Sequence, residues 1–234
     1  NELKNLAKTV KSISALKLDF EKLQNTEIQP SGKTMQMEYI TDYIKNEENK
    51  ANILNVVDTV MESDLTSQFA LVMVKKVICD LNFVDENGNQ NVQLSNSLQK
   101  IKDNLNARDS EGNLIYTTKH LAVDLHTFVD SCLGLFDLIG AFTGDTSDPI
   151  QMLKNIPTDS LRTALIGDEY DGSKESVGGL YKIQFLSGDL NGDGKADAPL
   201  SNATDNMLES LLLAYAKDII SSEDIAKVND PRKG

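Results

Sequence analysis

The chain has 234 residues, a formal net charge of -13, 40% hydrophobic and 25% charged residues. That length buries a substantial core, and the acidic balance argues against nucleic acid or anionic lipid as partners. Aromatics are 6% and tryptophan is absent, so the core must be built from Leu, Ile, Val and Met. No run of about 18 apolar residues exists, which excludes a membrane-spanning helix.

Leu3, Leu6, Val10, Ile13, Leu16, Phe20 and Leu23 recur at spacings of three and four. This predicts an amphipathic helix of about six turns, broken by Pro30-Ser31-Gly32. Met35, Tyr39, Ile40, Tyr43 and Ile44 predict a second helix. After the polar break Asn46-Glu47-Glu48-Asn49, Ile53 to Met61 predict a third. Thr66 to Phe83 is strongly apolar and too long for a strand. Leu94 to Leu105 predicts a short helix. Leu114 to Phe142 predicts a long one that ends or bends near Gly134 or Gly140. From Thr143 to about 200 the chain is rich in Gly, Asp, Ser and Pro, with short helices expected at Ile150–Leu153 and Ser160–Ile166. Met207, Leu208, Leu211, Leu212, Tyr215, Ile219 and Ile220 predict a closing helix.

The turn cluster Asp85-Glu86-Asn87-Gly88-Asn89 and the residues after it overlay Asn191 to Asn202, and Leu-Ser-Asn coincides in both. Either the chain holds two related halves, approximately 1–110 and 111–234, or polar turn chemistry converged. A third polar turn is Asp109-Ser110-Glu111-Gly112-Asn113.

The most specific chemistry lies in Asp189-Leu190-Asn191-Gly192-Asp193-Gly194-Lys195-Ala196-Asp197. Oxygen-bearing side chains occupy relative positions 1, 3, 5 and 9 with glycine at 6, the spacing of a loop that wraps Ca²⁺. The segment resembles the calcium loops of the EF-hand and dockerin families. The resemblance implies ligation by Asp189, Asn191, Asp193, the Lys195 carbonyl and Asp197. It covers only this loop. Leu200 stands where a bidentate acid belongs, and Pro199 obstructs an immediate exit helix; Asp205, Glu209 or water would supply the missing ligand. A solvent-exposed Asx/Gly turn is the plain alternative.

Other chemistry is sparse. His120 and Asp124 share a helix face, as do His126 and Asp130, and surface pairing is the expectation. A P-loop comparison at Gly188 to Lys195 fails on spacing, with Ala196 where a magnesium-binding hydroxyl belongs. No catalytic signature is present, which disfavours an enzyme. The six methionines read as core filling. Cys79 and Cys132 sit in apolar surroundings and read as buried free thiols, with a disulfide between them the alternative in an oxidising compartment.

The fold expectation is all-α: one domain, an irregular helical bundle or stacked helical hairpins, with an irregular loop-rich segment at 143–200. The functional expectation is a non-enzymatic, extracytoplasmic binding protein with structural Ca²⁺. Its ligand would be a small molecule, a lipid-like molecule or a protein partner, as in an envelope transport component. A calcium-dependent adhesion or assembly module is the alternative. The first residue is Asn1 rather than Met, which fits a mature periplasmic or cell-surface protein with a lipid anchor upstream. If calcium is purely structural, chelation lowers the melting temperature and leaves partner binding intact at temperatures where the chain stays folded. Scanning calorimetry and a binding assay, each with and without EGTA, check this.

Overall fold

The computed structural model describes residues 2–82, 87–90, 92–141, 149–166 and 182–187. Within them the chain is all-α, a bundle of helices packed against one another, and β-type pairing is confined to isolated bridges. The helices are α1 (Glu2–Ala15), α2 (Phe20–Gln24), α3 (Met35–Lys45), α4 (Glu47–Met61), α5 (Asp64–Asp80), α6 (Val92–Asn106), α7 (Thr118–Ala141), α8 (Pro149–Asn155), α9 (Thr158–Ile166) and α10 (Gln184–Ser187).

Their boundaries follow local chemistry. Asp19, Thr34, Asn46 and Ser63 each adopt extended backbone before a helix, and each side chain accepts an N–H of the first turn. Asn46 also ends α3, so the polar stretch read as a break is one residue wide, and α4 starts at once. The long first helix expected from the leucine spacing is instead two. Lys17 takes a positive φ of 48°, a conformation that ends a right-handed helix, and α2 restarts after Asp19.

The 24-residue α7 is the central element and packs against α3, α4, α5, α8 and α9. It runs through Gly134 and ends one residue past Gly140. The core gathers Met37, Met61, Leu71, Ile101, Leu105, Tyr116, Leu121, Ile139, Met152, Ile156, Leu161 and Ile183. Met37, Met61 and Met152 thus fill the core as expected, whereas Met73 is 42% exposed.

Two helix connections share one backbone design. Ile28 bridges Thr34, and eighty positions later Arg108 bridges Leu114. In the first, Gln29 N donates to Lys33 O, Gly32 N to Gln29 O and Met35 N to Glu27 O. In the second, Asp109 N donates to Asn113 O, Gly112 N to Asp109 O and Ile115 N to Ala107 O. Gly32 and Gly112 have φ of 83° and 85°. Gly88, at φ 81°, holds the same place two residues before the bridging Gln90. A Cβ on Gly112 would meet nothing within 4 Å, so glycine is required there by conformation and not by space.

Gly140 differs. A Cβ there would lie 3.0 Å from Thr41 Cβ of α3 and closer still to the rest of that buried side chain. Lys33 Nζ donates to the Gly140 carbonyl at 2.7 Å, placing a cation at the negative end of α7. Gly112→Ala is therefore expected to cost about 1 kcal/mol, from backbone strain alone. Gly140→Ala should cost about 1–3 kcal/mol from overpacking of α3 on α7. Urea melts of both variants check the order.

Candidate functional site

Asp124 of α7 is buried, 2% exposed. Tyr116, fully buried, donates its hydroxyl to Asp124 Oδ2 at 2.5 Å, and Gln184 N donates to Oδ1 at 2.7 Å. The Tyr116 ring stacks on His120 at 5.8 Å and meets Phe185 edge-on at 5.7 Å. Burial, followed by the adjacent Asp124 charge, pushes the Tyr116 hydroxyl well above the ordinary tyrosine value and keeps it a donor. His120 Nδ1 accepts the Thr117 N–H at 3.1 Å and lies 2.9 Å from Thr117 Oγ1. A histidine thus serves at the third position of a capping box that starts α7. The surface pairing expected of His120 and Asp124 is replaced by an enclosed lock. It ties the 107–117 turn and α10 to α7.

A second feature is open. Asp58 and Met61 of α4, its C-cap Glu62, and Ala122, Val123, His126 and Thr127 of α7 line a cleft of about 400 Å³. His126 Nδ1 lies 2.9 Å from Asp58 Oδ1, so its carboxylate comes from the facing helix and not from Asp130 one turn along. Glu62 is held at 2.6 Å by Lys8 of α1. The i,i+4 spacing of Asp58 and Glu62 on one face of α4 was the available sequence signal for this cleft. The facing imidazole was not readable without the α4–α7 packing.

The third feature is a reversal of α1. Asn5 Nδ2 donates to the Glu62 carbonyl, Thr9 Oγ1 to the Thr59 carbonyl at 3.3 Å, and Ser12 Oγ lies 2.8 Å from Thr59 Oγ1. The Glu2 carboxylate accepts from Ser63 Oγ and Asp64 N at the start of α5. The helix therefore packs on α4 through its polar face, with Ser12 its one buried residue. Leu3, Leu6, Val10 and Ile13, which the spacing puts on one face of an amphipathic helix, are 80%, 60%, 56% and 50% exposed. On α5, Leu65, Phe69, Val72, Met73 and Val77 are exposed as well.

The predicted calcium ligands Asp189, Asn191, Asp193, Lys195 and Asp197 lie outside the described residues, as do Asp205, Glu209 and the closing helix expected at Met207 to Ile220. Among the described residues no three His, Cys, Asp or Glu side chains are grouped to hold a metal ion, and no helix is long and apolar enough to cross a membrane. Both cysteines are free thiols; Cys79 is exposed, contrary to its apolar neighbourhood in sequence, and Cys132 is partly buried.

Comparison with family models, with curated proteins and with solved structures finds no match to this chain.

Asp124→Ala is expected to destabilise the fold by about 3 kcal/mol, because it leaves the Tyr116 hydroxyl and the Gln184 N–H buried without this acceptor. Tyr116 carries a pH signature too. Its folded value is raised, so its contribution is intact below the unfolded tyrosine value of about 10 and is lost as pH rises beyond it. Tyr116→Phe should show a shallower alkaline loss of stability than the parent chain, read by denaturant midpoints from pH 8 to 11. Burial also pushes the Cys132 thiol up, so a thiol-disulfide reagent should modify Cys79 before Cys132.

Proposed function

We propose that this is a non-enzymatic helical binding protein whose outward α1 face receives a protein partner. The observation that carries this is the reversal of α1: polar groups are spent on internal packing while four large aliphatic side chains face water. Isolated exposed leucines are commonplace, but a contiguous apolar stripe of a few hundred Å² marks an interaction surface. Ile13, Leu6, Val10 and Leu3 fall within an arc of roughly 80° on a helical wheel. Exposed Lys4 and Lys11 lie together beyond the Leu3 edge of that arc, roughly 80–100° further round the helix, in a chain whose net charge is -13. The fitting partner thus presents an apolar helix face with carboxylates along one side. The exposed face of α5 is a second apolar surface available for assembly.

The calcium loop at Asp189–Asp197 supports a structural Ca²⁺ and, through the calcium levels that an imperfect loop needs, an extracytoplasmic setting. On this reading the ion fastens the chain and the helical faces do the binding. The calcium-dependent assembly module remains the second reading, favoured by the same apolar faces.

A photo-crosslinking residue placed at Leu6 or Val10, expressed in the source organism, should give one discrete protein adduct, and the same residue at Thr163 on α9 should give none. Lys4→Glu with Lys11→Glu should abolish the adduct without moving the melting temperature of the purified chain. No discrete adduct, or one indifferent to charge reversal, refutes the α1 reading. An adduct lost on chelation at a temperature where the chain stays folded selects the calcium-dependent module.

A further inference from the structure

The α4–α7 cleft stands apart from the α1 stripe and calls for a different ligand. Its apolar lining comes from Met61, Ala122 and Val123. Its rim carries two carboxylates one helical turn apart, Asp58 and Glu62. Each is engaged through one oxygen, Asp58 Oδ1 by His126 and Glu62 Oε2 by Lys8. Asp58 Oδ2 and Glu62 Oε1 remain as acceptors, and both side chains are about half exposed, at 51% and 47%. The titratable groups facing the cleft are these two acids of α4, His126 of α7 and Lys8 of α1.

We infer that this cleft binds a small organic cation: a primary amine carrying a compact apolar body. A primary ammonium offers three N–H donors and matches two carboxylate oxygens left open on one helix face. Its hydrocarbon part covers the half-exposed Val123 and the exposed edges of Ala122 and Met61. An anion of the same shape finds no donor in Asp58 Oδ2 or Glu62 Oε1. The volume of about 400 Å³ falls in the range of small-molecule sites, and the open mouth accounts for entry without helix movement. His126 acts as a positioning residue, fixing the Asp58 carboxylate from the opposite wall.

The test titrates the full chain with 2-phenylethylamine and, separately, with 3-phenylpropanoate, following the Met61 and Val123 methyl signals by NMR. The amine should shift both methyls saturably, and the carboxylate should leave them unmoved. Asp58→Asn and Glu62→Gln should each raise the amine Kd about tenfold. Glu62→Gln also removes the contact with Lys8, so Asp58→Asn reads the site without disturbing α1. The amine-versus-carboxylate comparison on the unmodified chain needs no variant and decides the matter even if both variants unfold. Unmoved methyls with the amine, equal shifts with the carboxylate, or an amine Kd unchanged in folded Asp58→Asn overturns the inference. None of these results bears on the crosslinks from α1, so the two readings fail separately.

Discussion

The Asp124 carboxylate is the constraint on which the arrangement depends. It sits inside α7 and is 2% exposed, where an unpaired charge would be strongly unfavourable. It is tolerable because Tyr116 and the Gln184 backbone donate to it. Those donors come from opposite directions in sequence, one from the turn that enters α7 and one from α10, sixty residues downstream of Asp124. The carboxylate therefore fixes where the turn and the short helix must lie. Through Asn104 Nδ2, which donates to the Phe185 carbonyl at 3.0 Å, α10 holds α6 in turn. Apolar packing around Leu105, Leu121, Ile156 and Leu161 is non-directional; the buried acid selects one registration of it.

A similar use of polar groups explains why α1 faces the wrong way by hydropathy. Small hydroxyl-bearing residues, Thr9, Ser12 and Thr59, let two helices approach closely and exchange hydrogen bonds. Lys8–Glu62 and the Glu2 carboxylate at the start of α5 hold the two ends. Surface ion pairs of this kind contribute little individually, so α1 is attached by many weak polar contacts and by little apolar burial. A helix held in that way is well placed for recognition. Its apolar stripe is half or more exposed, and covering it would supply the hydrophobic free energy that its internal contacts lack.

The cleft touches α1 on the side away from its stripe, through Glu62 and Lys8. Glu62 lines the cleft and also accepts Lys8 from the helix bearing the stripe. The two surfaces nevertheless have opposite preferences. On the proposed readings the stripe takes an apolar partner face with carboxylates toward the Lys4 and Lys11 side, and the cleft takes a cation.

Periodicity in the chain determined most of the helices. The stripes in Met35–Ile44, Leu94–Leu105 and Ser160–Ile166 became α3, α6 and α9, and the turn glycines Gly32, Gly88 and Gly112 adopt the positive φ that their polar clusters implied. Such features are local: spacing, caps and backbone sterics act within a few residues. The same spacing misled at Leu3–Ile13, because periodicity shows that a helix has two faces and cannot say which one its neighbour takes. Only the tertiary structure decided that Asn5, Thr9 and Ser12 meet α4. It also decided that His126 turns to Asp58 across the groove, and that Asp124 is enclosed by Tyr116 and Gln184. Tyr116 apart, which is eight residues from Asp124, those partners lie 47 to 68 residues apart, and contacts at that range are chosen by how the helices pack together and not by the order of residues within any one of them.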